Sequence, residues 1–174
     1  MRKGTVGDRW GVTDDETSLH YPCDDFVTSP NLQAWRGVSV QAPPAAVWSW
    51  VLQIRVAPYS YDWIDNRGRR SPRRLLDLPE PQVGDAFTSS GNRPLGRIVS
   101  VEQERQLTGR ILGAFMSYVL VRDDVTTRLL LKVAMSTHRL AAPAIRVGDL
   151  VMARRQLLNL KQLAERGPRP GSES

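Results

Sequence analysis

From Gly84 to His138 apolar residues recur at every second position, interrupted by short turn signals. Such alternation belongs to half-buried strands, whose successive side chains point to opposite faces of a sheet. It predicts strands near 84–89, 95–102, 106–112, 115–122 and 126–138, with turns at Gly91-Asn92, Glu104-Arg105, Gly113 and Asp123-Asp124. In the last strand Leu129, Leu131, Val133, Met135 and Thr137 share one face, and Arg128, Lys132, Ser136 and His138 share the other. A sheet with one apolar face is an antiparallel meander that needs a cover.

Upstream, Val38, Val40 and Ala42 alternate over 37–42 and predict one more strand. Pro43-Pro44 then opens a helix over 45–54, with Val47, Trp50, Val51 and Ile54 on one face. A second, short helix fits 59–66, with Ser60 as its cap. The cover comes last. Over 145–166, Val147, Leu150, Val151, Met152, Leu157, Leu158, Leu160 and Ala164 make a broad stripe opposite Arg154, Arg155, Lys161, Glu165 and Arg166. A helix of that length spans about 33 Å, enough to cross a curved sheet, and Gly167 ends it. The expected fold is α+β: an antiparallel sheet of about six strands wrapped around a long C-terminal helix, with two short helices after the first strand.

Residues 1–35 have no sustained period, yet Trp10, Tyr21, Phe26, Val27 and Trp35 are too apolar for a free tail. They predict an arm packed on a single domain, residues 36–166, and residues 167–174 read as a disordered tail. With 174 residues, 41% of them hydrophobic, the chain has material for one core. No apolar run approaches the roughly 20 residues of a membrane span, and the N-terminus lacks the apolar region of a secretory signal. A cytoplasmic protein is the expectation. Cys23 is the sole cysteine, and His20 and His138 are the only histidines. No metal-ligand spacing is present, so neither a metal nor a cofactor is expected.

The net charge of +6 comes almost wholly from arginine, 21 residues against 3 lysines. Its densest run is Arg67, Arg69, Arg70, Arg73 and Arg74, just after the aromatic and acidic stretch Tyr59-Ser-Tyr-Asp-Trp-Ile-Asp-Asn66. Gly68 and Pro72 make that run a loop. It lacks interleaved aromatics and any helix-turn-helix or RNA-binding signature, so nucleic acid is not the expected partner.

Several stretches carry a resemblance. Val40-Gln-Ala-Pro-Pro-Ala-Ala-Val-Trp-Ser-Trp-Val-Leu-Gln53, Tyr59–Asn66, Val83-Gly-Asp85, Thr126-Thr-Arg-Leu129 and Met152-Ala-Arg-Arg-Gln-Leu-Leu-Asn-Leu-Lys-Gln-Leu-Ala-Glu165 stand in the order found in the START and polyketide cyclase/dehydratase (SRPBCC) superfamily. The resemblance covers about residues 36–166. It implies a helix-grip fold, with a cavity between sheet and long helix that holds an apolar or aromatic small molecule. It does not imply one chemistry, since the superfamily mixes carriers, sensors and cyclases.

Under that resemblance Tyr59, Tyr61 and Trp63 sit at the cavity mouth, and Leu131, Val133, Met135, Met152 and Arg155 supply its walls. The alternative for the three aromatics is packing of the short helices against the long one. Asp62, flanked by Tyr61 and Trp63, is the candidate acid/base of a cyclase-like enzyme, with Tyr61 or Tyr59 beside it. A salt bridge to Arg67 or to an arginine of the closing helix is the simpler role for it. Arg67, Arg69, Arg70 and Arg73 could dock an acidic carrier protein, could grip a phosphate or carboxylate, or could merely be solvated. A Cys23/His20 nucleophile pair lacks anything to orient the base. Three functions therefore remain open: binding of an apolar or aromatic ligand, cyclase/dehydratase chemistry, and protein docking through the arginine loop.

Overall fold

The computed structural model of the chain describes residues 9–60, 67, 70–123, 125–136 and 142–166, with 142–151 described by their backbone alone. Among these residues, seven strands make one sheet in the order β1-β2-β7-β6-β5-β4-β3. They are β1 (Arg9–Trp10), β2 (Leu32–Val40), β3 (Ala86–Ser90), β4 (Arg93–Glu102), β5 (Gln106–Ile111), β6 (Ala114–Asp123) and β7 (Thr126–Met135). Six are antiparallel, as the alternation predicts; β1, from the arm, adds a two-residue parallel edge to β2. The first full strand begins at Leu32, five residues before the predicted start at Gly37. Arg36 masks its alternation: it shares the inward phase of Ala34, Val38 and Val40, and it is fully buried. Its Nη1 donates to the Trp35 carbonyl at 2.7 Å.

Helix α2 (Pro44–Leu52) follows Pro43 and runs into a 3₁₀ turn over Gln53–Arg55. Its Val47, Trp48, Trp50 and Val51, with Ile54 beyond it, join the core. The predicted second short helix lies largely on 61–66, outside the described residues. Helix α3 (Ala142–Glu165) lies across the inner face, chiefly over β2 and α2. Ala153, Leu157, Leu160, Leu163 and Ala164 pack there against Leu129, Leu131 and Val133. Leu158, placed by sequence on the apolar stripe, is instead on the solvent side. Lys161 Nζ donates to the Ser39 carbonyl at 2.6 Å and Glu165 Oε1 accepts from the Gln41 amide at 2.8 Å, fixing the end of α3 to β2.

The sheet curves at β4, where the register with β5 slips between Ile98 and Ser100. Gly96 sits near this bulge at φ +71, and an added Cβ would stand 2.5 Å from the Arg110 carbonyl oxygen.

The outer face, which carries the polar positions of the alternation in β7, is covered by the arm. Helix α1 (Asp14–Ser18) is closed by a capping box in which Thr13 and Glu16 exchange side-chain and backbone hydrogen bonds. Glu16 also grips Arg128 of β7, at 2.7 Å from Oε1 to Nε. A 3₁₀ turn, Pro22–Asp25, sets Tyr21 and Cys23 on Leu130 and Ala134. Lys132 is buried there: its Nζ meets Asp24 Oδ1 at 2.5 Å and lies over the rings of Tyr21 and Trp35. Trp10 reaches around the sheet edge to pack on the inner core, beneath Arg154 of α3.

Candidate functional site

The inner face is not uniformly filled. Over β2 and β7, α2 and α3 close it; toward β3–β6 a cavity of about 400 Å³ remains. Ile54, Phe87, Leu95, Ile111, Met116 and Met152 give it apolar walls, and Leu112, exposed at the β5–β6 turn, forms part of its rim. Gly109 explains part of the shape. Phe87 lies so close to the backbone of β5 that a Cβ on Gly109 would stand 2.1 Å from its ring. The absent side chain lets Phe87 fold down and leaves space above it. Phe87 in turn leans on Tyr118, ring centroids 6.2 Å apart.

The polar groups of the wall are tied to the frame. Tyr118 donates its hydroxyl proton to Gln156 Oε1 at 2.5 Å, and Gln156 Nε2 donates to the Pro58 carbonyl at 2.5 Å. Thr88 and Ser89 donate to the Ile54 and Val56 carbonyls at 2.7 and 2.6 Å. These bonds commit the hydroxyl donors of Tyr118, Thr88 and Ser89 within the protein, so the surface offered to a ligand is largely apolar. Among the described lining residues there is no carboxylate, imidazole or thiol.

The predicted site residues separate. Met152 lies on the cavity wall, and Arg155 lines a smaller polar pocket beside it. Leu131 and Val133 are buried in the closed half of the core, and Met135 is buried at the end of β7; none of the three touches the cavity. Tyr59 is buried with its ring edge-on to Trp50 at 6.3 Å, so it packs the core and lines the polar pocket. Tyr61, Asp62, Trp63, Arg69 and His138 lie outside the described residues. Arg67 folds its stem against Gly91 at the β3–β4 turn, Arg73 lines the polar pocket and Arg70 is exposed. Among the described residues no group of metal-ligating side chains occurs.

Cys23 and His20 do not form a nucleophile pair. His20 is at the surface, 3.1 Å from Asp25 Oδ1. Cys23 is buried, and burial pushes its thiol up to about 11, away from the reactive thiolate. Its backbone N–H donates to Ser117 Oγ at 2.8 Å. Ser117 then donates to Thr108 Oγ1, since the Thr108 hydroxyl proton is committed to Gln106 Oε1 at 2.8 Å. Gln106 Nε2 ends the chain on Ser100 Oγ. This relay binds the arm to β4, β5 and β6 on the outer face.

The sequence reading missed Phe87, Met116, Tyr118 and Gln156. One signal for them was present: Gly109 stands at an inward position in the middle of a strand, where a glycine marks a close approach.

No family model matches the chain, and no curated protein matches it. Solved structures do. A Mesorhizobium loti protein is 15% identical, with 78% of this chain and 98% of that one covered at a TM-score of 0.53. A Rhodobacter sphaeroides protein is 16% identical over 75% of this chain and 90% of its own, at 0.51. A polyketide cyclase-like protein from Corynebacterium glutamicum is 14% identical over 76% and 91%, at 0.49. The first two likenesses, at these identities, speak to the fold alone. Together with the sheet order and the gripping helix, they give this chain the helix-grip fold.

Proposed function

We propose that this helix-grip chain binds an apolar or aromatic small molecule in the cavity between β3–β6 and α3. The supporting observation is the cavity itself: about 400 Å³, walled by Ile54, Phe87, Leu95, Ile111, Met116 and Met152. That volume falls in the range of small-molecule sites, roughly 300–1,000 Å³. The lack of acid/base groups among its described lining residues favours holding a ligand over transforming it. Cyclase-like chemistry would rest on Asp62 and Tyr61, and docking of an acidic carrier on the arginine loop; no described contact favours either.

The test is a titration with the neutral fluorophore N-phenyl-1-naphthylamine, followed by displacement with decanol. Saturable binding in the wild type, weakened at least about tenfold by the cavity-filling substitution Met116→Trp, is the expected result. Equal binding by wild type and Met116→Trp sinks the proposal.

A further inference from the structure

Beside the apolar cavity lies a smaller space of about 110 Å³. Arg73, Arg155, Arg166, Asn159, Gln162 and Ser71 are among its walls, and among the described lining residues there is no carboxylate. Among the described residues none of the three arginines has an ion pair. Scattered surface arginines are ordinarily just solvated. These three, from the loop after α2 and from the last turns of α3, converge on one concavity together with two side-chain amides. Guanidinium groups gathered with no carboxylate among the described residues around them suit an oxyanion, which they can meet with charge-assisted and bidentate hydrogen bonds. The partial negative charge at the C-terminus of α3, about half an elementary charge, opposes an anion but is outweighed by three full positive charges. A water in the liquid occupies about 30 Å³, so the space admits a headgroup of a few heavy atoms and no more.

The two spaces are neighbours. Ser60 lines both, and on α3 Arg155 faces the polar one while the next residue, Gln156, faces the apolar one. The partition is Pro58–Ser60, and it is fixed. Gln156 donates to the Pro58 carbonyl at 2.5 Å, Asn159 Nδ2 to the Tyr59 carbonyl at 2.9 Å, and the Tyr59 amide to Ser71 Oγ at 3.2 Å. Tyr59 adopts φ 55, a left-handed conformation that a tyrosine holds only when its surroundings impose it.

From this arrangement we infer that the polar pocket takes the oxyanion head, a carboxylate or phosphate, of the same molecule whose apolar part occupies the larger cavity. The inference rests on the reading of the cavity as a ligand site and adds the chemical class: an anionic amphiphile.

The test compares decanol, decanoate, decyl phosphate and inorganic phosphate by calorimetry at low salt, on the wild type and on Arg73→Gln/Arg166→Gln. Decanoate or decyl phosphate should bind about tenfold or more tightly than decanol, and which of the two leads identifies the head. In the double variant that preference should vanish, while decanol, which has no charge to meet, keeps its affinity within about twofold. Equal affinity of decanol and both anions in the wild type overturns this inference and leaves the cavity reading standing. So does a preference that survives in the double variant. Phosphate binding without decanol binding overturns the claim that one molecule spans both spaces, and the cavity reading with it; so does a failure of all four to bind.

Discussion

The two faces of the sheet are built on opposite rules. The outer face closes a small apolar cluster around Tyr21, Leu130 and Ala134 with polar ties: Lys132 on Asp24, Arg128 on Glu16, and the relay from Cys23 through Ser117 and Thr108 to Gln106. The inner face is closed mainly with apolar material, Arg36 apart, and only over β2 and β7; over β3–β6 it stays hollow. Buried ions and hydroxyls need their partners in fixed positions, so these polar ties hold the outer face in one arrangement. Apolar walls make no such demand and can surround whatever fits. Changes to the outer face should therefore reduce stability and spare the ligand, and changes to the hollow should do the reverse.

The largest expected effect comes from removing the arm. Deleting residues 1–30 uncovers Leu130 and Ala134 and takes Asp24 from Lys132, a loss of several kcal/mol. The melting temperature should fall by roughly 10–20 °C. A fall of a degree or less in a calorimetric scan would show the outer face to be no second core.

Next is the ion pair alone. Asp24→Asn removes the counter-charge of the buried Lys132 ammonium and leaves it a neutral amide oxygen and the rings of Tyr21 and Trp35. About 2–4 kcal/mol should be lost in urea unfolding, with N-phenyl-1-naphthylamine affinity unchanged. Weakened binding by this variant would mean that the two faces are coupled.

Acid gives a graded version. The Arg128 hydrogen bonds hold the Glu16 carboxyl below its ordinary 4.5, with burial opposing and Thr13 assisting. A lowered folded value means stability that is present above about 4.5 and lost as pH falls through the folded value. Between pH 5 and 3 the wild type should lose melting temperature more steeply than Glu16→Gln; parallel curves would remove the ion pair from the account.

The smallest effect is chemical. Cys23, buried with its thiol pushed up to about 11, should resist iodoacetamide at pH 8 in the native protein and react on unfolding. Rapid native alkylation would show the arm lifting from the sheet.

Local pattern carried the inner face. The alternation in β3–β7 and the stripe of α3 are contacts of near neighbours and periodic phase, and they predict strands, helix and gripping cover. The outer face was less legible: the sequence predicts a packed arm, but Arg128, Lys132 and Ser136 carry no sign of where it packs. Their partners are far away in the chain: Glu16 is 112 residues from Arg128, and Cys23 is 94 from Ser117. No periodicity records such pairings. The hollow was half legible. The superfamily resemblance implied a cavity beneath the helix, but Leu131 and Val133 fall in its filled half, because α2 and the C-terminal turns of α3 press there. Phe87 over Gly109 marks the open half; alternation with Leu107 and Ile111 puts that glycine inward, but nothing in the pattern brings Phe87 onto it.

Strand β6 carries both rules at adjacent positions: Met116 points into the cavity, and Ser117 holds Cys23 and Thr108 on the outer face. The decisive measurement takes Met116→Trp and Ser117→Val side by side, reading melting temperature and decanol affinity for each. Met116→Trp should cut affinity about tenfold or more with little change in melting temperature, and Ser117→Val should lower melting temperature by roughly 3–8 °C with affinity intact. Affinity left whole by Met116→Trp, or reduced as much by Ser117→Val, would contradict the division of labour between the two faces.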